Sequence, residues 1–196
     1  MTSKLVMDRL QTAGLAQVLA LREQGVQPDA ALAARIAEAD TLLVGAAADI
    51  ARRRELGDEA TIFVPCAPAG DLRLTVLRPL PGEGGTLFLR RLSALRLTGP
   101  LGLQIIVDWT EIGLTTAQLG LSFGASGLAG PIAGRRGLPI AEVDAQRTLV
   151  KRRELTAYVE RAGYRARFVN TPMAAASDLV GNQSSTPDRG DAHVGS

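Results

Sequence analysis

The chain is short of the residues that most enzymes recruit for chemistry. Among its 196 residues there is one cysteine, Cys66, and one histidine, His193. A lone cysteine excludes an internal disulfide framework and any metal or cluster site built on several thiolates. A lone histidine close to the end of the sequence excludes a Ser-His-acid triad. Aromatic residues make up only 4%, which argues against the stacking surfaces of single-strand nucleic-acid binders. No apolar run approaches the roughly eighteen residues of a membrane span. Residues 1–9 include Lys4, Asp8 and Arg9 and no long apolar stretch, so no export signal is expected and the cytoplasm is the expected compartment.

Charge is skewed in kind more than in sum. Lys4 and Lys151 are the only lysines among 22 basic residues, which face 20 acidic ones. The densest positive stretch runs from Arg135 to Arg167, where Glu142, Asp144, Glu154 and Glu160 offset it only in part. A phosphate-binding surface reads this way. Only Tyr158, Tyr164 and Phe168 interleave, however, so a solvated helix face is the plainer reading and nucleic-acid binding is disfavoured.

What is present suits one domain-sized core, with 46% apolar and 21% charged residues. Leu5, Leu10, Leu15, Val18, Leu19 and Leu21 predict one helical stripe ended by Gly25. Pro28-Asp29 opens a second helix. Asp40 caps a third, Thr41 to Leu56, which closes on Arg52-Arg53-Arg54 and Gly57. Strands are expected at 60–64, 72–77 and 103–107, with short ones near 128–132 and 165–169. Helices are expected between them at 86–97, 114–121 and 149–162. Such alternation predicts α/β architecture built from parallel β-α units. From Pro172 the composition loses periodicity and predicts a disordered tail.

Candidate motifs are few. Gly124, Gly127 and Gly130 are spaced three apart and follow a helix, so neither nucleotide-loop pattern is met. Asp108 follows the strongest strand directly, where parallel sheets gather binding groups. With Glu111 it could do acid–base work, or Glu111 could simply favour the start of a helix. Cys66 follows a strand without a neighbouring histidine or lysine to activate it, which predicts an inert thiol.

Two stretches carry a family resemblance. The first joins Arg22-Glu23-Gln24-Gly25, Ala39-Asp40-Thr41-Leu42-Leu43-Val44-Gly45-Ala46-Ala47-Ala48-Asp49, Arg52-Arg53-Arg54 and Gly57-Asp58. The second runs from Trp109-Thr110-Glu111-Ile112-Gly113-Leu114 through Phe123-Gly124-Ala125, and continues from Arg153-Glu154-Leu155 to Arg161-Ala162-Gly163-Tyr164. Together they resemble the radical SAM enzymes of the futalosine menaquinone pathway, aminofutalosine synthase and dehypoxanthine futalosine cyclase above all. That family holds a [4Fe–4S] cluster through C-x-x-x-C-x-x-C after its first barrel strand. Here that strand ends in Val64-Pro65-Cys66-Ala67-Pro68, and no second cysteine exists. The central β-α units of the family are also missing, and Ser126-Gly127-Leu128-Ala129-Gly130-Pro131 and Gly134-Arg135-Arg136 replace its acidic positions.

The resemblance therefore implies a partial, half TIM-like barrel over 59–170, an N-terminal helical segment over 1–58 and a tail over 171–196. It implies a non-catalytic relative, a binding or assembly partner linked to menaquinone biosynthesis, with no metal, no cofactor and no catalytic residue. Its open sheet should be covered by the N-terminal helices, a second copy or another chain. Asp108, Trp109, Glu111, Thr115, Gln118 and Ser126 are the expected ligand-facing groups for a small aromatic or nucleoside-like molecule. The rival expectation is a cluster-free small-molecule enzyme working through Asp108 and Glu111.

Overall fold

A computed structural model of the chain describes residues 4–65, 74–133 and 150–171. Four helices come first: α1 (Lys4–Thr12), α2 (Leu15–Glu23), α3 (Ala30–Glu38) and α4 (Thr41–Leu56). The caps explain two of these starts. Asp29 accepts a bond from the Leu32 amide at 2.8 Å, and Asp40 accepts from Leu42 and Leu43 at 2.9 and 3.2 Å. Each satisfies backbone donors left free by the first helical turn. The single N-terminal stripe expected from the leucines is broken in two at Gly14, whose φ is 74°. The break swings α2 so that Leu10 and Leu15 both enter one core.

The remaining elements alternate: β1 (Glu59–Pro65), β2 (Leu74–Leu77), α5 (Gly85–Thr98), β3 (Gln104–Asp108), α6 (Trp109–Ile112), α7 (Leu114–Leu121), β4 (Gly127–Ala129), β5 (Ile132–Ala133), β6 (Val150–Lys151), α8 (Arg152–Arg161) and β7 (Arg165–Thr171). The class is α/β. Five strands form one open parallel sheet in the order β2-β3-β4-β1-β7, and β5 pairs with β6 separately. The short strand expected near 128–132 is thus two strands. Gly130, at φ 153°, and Pro131, which has no amide to donate, end β4 between them. Cys66, the 172–196 tail and most of the basic glycine-rich stretch after Ala133 lie outside the described residues.

Register fixes which side of the sheet is buried. Leu77 pairs with Val107, Val107 and Ile62 both pair with Leu128, and Ala60 pairs with Ala166. In a parallel ladder such partners share a face. That face meets Phe88, Leu89 and Leu92 of α5, Ala117 and Leu121 of α7, and Leu155 and Val159 of α8 in the larger core. The alternate residues belong to the opposite face: Val76, Gln104, Ile106, Ala129, Thr61 and Arg167 join neither apolar core. Ile106 is nonetheless only 1% exposed, and its Cδ1 lies 3.1 Å from where a Cβ on Gly127 would sit.

The N-terminal helices do not cover that second face. Their core unites Leu10, Leu15, Val18, Ile36, Val44 and Ala47 with Leu97 of α5 and contains no residue of the described strands. They extend the helical layer instead: α4 packs beside α5, and the turn after α7 fits against both. Gly45 takes the Phe123 ring, and Gly124 at φ 99° leaves room for Arg96 and Ala48.

Candidate functional site

The carboxyl ends of the strands hold three of the residues expected to face a ligand. Asp108 ends β3, and its Oδ1 accepts from the Thr110 amide at 2.8 Å and the Thr110 hydroxyl at 2.7 Å. It therefore serves as the N-cap of α6. Glu111, one turn on, forms a 3.4 Å ion pair with Arg78, which follows β2. The two carboxylates thus have separate partners, Thr110 for Asp108 and Arg78 for Glu111. Trp109 is 2% exposed and belongs to the larger core. Its ring lies on Gly130, where any Cβ would collide with the indole, and its N–H has no acceptor among the described residues.

Thr115 is exposed on α7, in the helical layer. Gln118, on the same helix, donates from Nε2 to the Tyr158 carbonyl at 3.0 Å and so pins α7 to α8. Ser126 is buried at the start of β4, and its hydroxyl donates to the Ile105 carbonyl at 3.0 Å. That position is level with Ile105, three residues below Asp108 along the neighbouring strand. The structure thus gathers Asp108, Trp109 and Glu111 at one end of the sheet and leaves Thr115, Gln118 and Ser126 elsewhere.

Arginines organise the opposite end. Arg22 donates from Nε to Glu55 at 2.7 Å and from Nη1 to the Leu97 and Gly99 carbonyls at 2.8 and 2.9 Å. Arg96 donates to the Gly124 carbonyl at 2.9 Å and reaches Glu55 at 3.5 Å. Arg52 donates to the Gly57 and Glu59 carbonyls and lies over the Tyr164 ring at 4.1 Å. Each guanidinium neutralises carbonyls at a helix C-terminus or the start of a strand. Burial brings the pKa of Arg96 and of Arg52 down to about 10, and Glu55 opposes that pull at Arg96. The basic turn Arg52-Arg53-Arg54 is readable in sequence as a helix end, but not that Arg52 turns fully inward.

A cavity of about 410 Å³ opens beside this seam, between α2, α4 and the Leu101–Gly102 turn. Its charged wall is already paired, Arg22 with Glu55 and Arg54 with Glu23. None of the six residues expected to face a ligand lines it.

Asp49 lies near the same end, accepting from the Tyr164 hydroxyl and from Arg53 Nε at 3.0 Å. Burial holds its carboxyl above the ordinary 3.8, against the opposing pull of Arg53. The folded protein therefore keeps that proton more tightly than the unfolded chain does. The resulting stabilisation is present below pH 3.8 and is lost as pH rises through the raised folded value. Asp49→Asn should flatten that segment of a melting-temperature-against-pH curve while leaving the Tyr164 bond an acceptor. An unchanged acid slope would show that Asp49 does not carry it.

Among the described residues, no group of three His, Cys, Asp or Glu is placed to hold a metal ion, and no helix is long and apolar enough to cross a membrane. Compared with protein-family models and with curated proteins, the chain finds no match.

Proposed function

We propose that the chain is a barrel-derived protein without catalytic chemistry of its own, acting as a binding or assembly partner linked to menaquinone biosynthesis. The strand order carries this reading. In a closed (β/α)8 barrel the first strand lies beside the last, so loss of the central units leaves the first strand against the final three. The sheet order is β2-β3-β4-β1-β7, all parallel. Its β2-β3-β4-β1 run supports that reading, β7 adds a strand on the far side of β1, and among the described residues the core helices pack on one face. On this reading the sheet is a half-barrel whose inner face is the one that joins neither core. Parallel sheets are ordinarily covered on both faces, so this face is open to a ligand, and the sheet's unpaired edges are where a second copy of the chain would join. A small aromatic or nucleoside-like ligand would sit at the strand ends near Asp108 and Trp109.

The radical chemistry of the resembled family needs three thiolates to hold its cluster, and this sequence has Cys66 alone. Anaerobic reconstitution with iron and sulfide should therefore leave no [4Fe–4S] absorption, and calorimetry should show no S-adenosylmethionine binding. A stable cluster that binds S-adenosylmethionine would overturn the non-catalytic reading.

A further inference from the structure

We infer that β2 is the edge through which two copies of the chain join, antiparallel across a two-fold axis. This rests on the assembly reading above and gives it a partner and a contact. The open sheet ends in β2 on one side and β7 on the other, and the two edges are chemically unlike. β7 carries Arg165 and Arg167, with side chains 78% and 63% exposed and loosely paired to Glu59 at 3.8 and 3.7 Å. Charges of this kind blunt an edge against further pairing.

β2 reads Leu74-Thr75-Val76-Leu77, with no charge, proline or glycine. No strand among the described residues pairs with its outer side. The corner beside it is apolar and held in place. Arg91 donates to Glu83 at 2.7 and 2.8 Å and to the Arg78 carbonyl at 2.5 Å, while Glu83 accepts from the Leu80 amide at 2.9 Å. This clamp fixes the 78–83 turn against α5 and leaves Leu80 and Leu87 56% and 61% exposed.

A two-fold contact must be complementary to itself. An uncharged strand meets that condition, since antiparallel pairing sets no like charges opposite one another. With Val76 opposite the second copy's Val76, paired residues keep their sheet faces and Thr75 meets Leu77. Opposed Cα atoms in such a ladder lie about 4.5–5.5 Å apart, within the span of a disulfide.

The test uses the full chain carrying Cys66→Ser and Val76→Cys, oxidised after its mass is measured by light scattering. Twice the chain mass, together with a covalent dimer linked through the introduced thiols, supports the inference. As a second variant, Leu87→Asp alters an exposed position, so it should keep its circular dichroism and lose the dimer. Twice the mass without the cross-link, as in closure of β2 onto the second copy's β7, overturns the edge assignment and leaves the assembly reading standing. A monomer without a partner overturns both.

Discussion

Replacing Glu55 with alanine should lower the stability of the protein by about 3–5 kcal/mol, the range found when one member of a buried ion pair is removed. For a chain of this length that corresponds to a fall in Tm of about 10 °C. Among the described residues, Glu55 is the only carboxylate bonded to either Arg22 or Arg96, whose side chains are 2% and 0% exposed. It also accepts from the Gly102 amide at 3.0 Å, so α2, α4, α5 and the turn before β3 meet on one side chain. Without it, two buried cations face each other where the helical core joins the sheet core. One further nitrogen on each, Nη2, already has no acceptor among the described residues. Urea denaturation of the variant checks the prediction: a midpoint falling by the equivalent of less than about 1 kcal/mol, the range of a surface pair, would mean that Glu55 does not join the two cores.

Trp109→Ala should cost about 3–5 kcal/mol through loss of buried area and the cavity left behind. The ring is 2% exposed and packs in the same core as Ile132 and Leu128. It also occupies the space kept free at Gly130. Trp109→Phe should cost clearly less, because it removes a buried N–H donor that has no acceptor among the described residues. As this is the only tryptophan in the chain, circular dichroism must follow unfolding in both variants. Equal losses would show that the indole N–H is satisfied in solution. If the alanine variant matched the wild type, the strand ends would not be closed by this ring.

Local signals made parts of this fold legible. Asp29 and Asp40 announce α3 and α4 because a cap acts within three residues of itself. β3 is legible because Ile105, Ile106 and Val107 form the continuous apolar run of a strand inside a parallel sheet. Non-local features were hidden. The leucine periodicity runs straight across Gly14, and only its positive φ reveals the break between α1 and α2. Arg52, Arg53 and Arg54 look alike in sequence. Burial of the first depends on the Gly57 and Glu59 carbonyls and on Tyr164, far along the chain.

The candidate site was legible to the same degree. Asp108, Trp109 and Glu111 share one end of the sheet because they are contiguous with β3. Ser126 lies near the other end because the register of β4 sets Gly127 beside Ile106, and spacing along the chain carries no trace of that pairing. The two-faced character of the sheet likewise becomes visible only once Val107 is seen beside Leu128 and Ile62 on the core side.

The central claim is that this open parallel sheet is one half of an assembly. Light scattering on the purified chain over a wide concentration range tests it most directly. The account predicts twice the chain mass at high concentration, falling reversibly to the monomer on dilution or in the Leu87→Asp variant. A monomer at every concentration would contradict it.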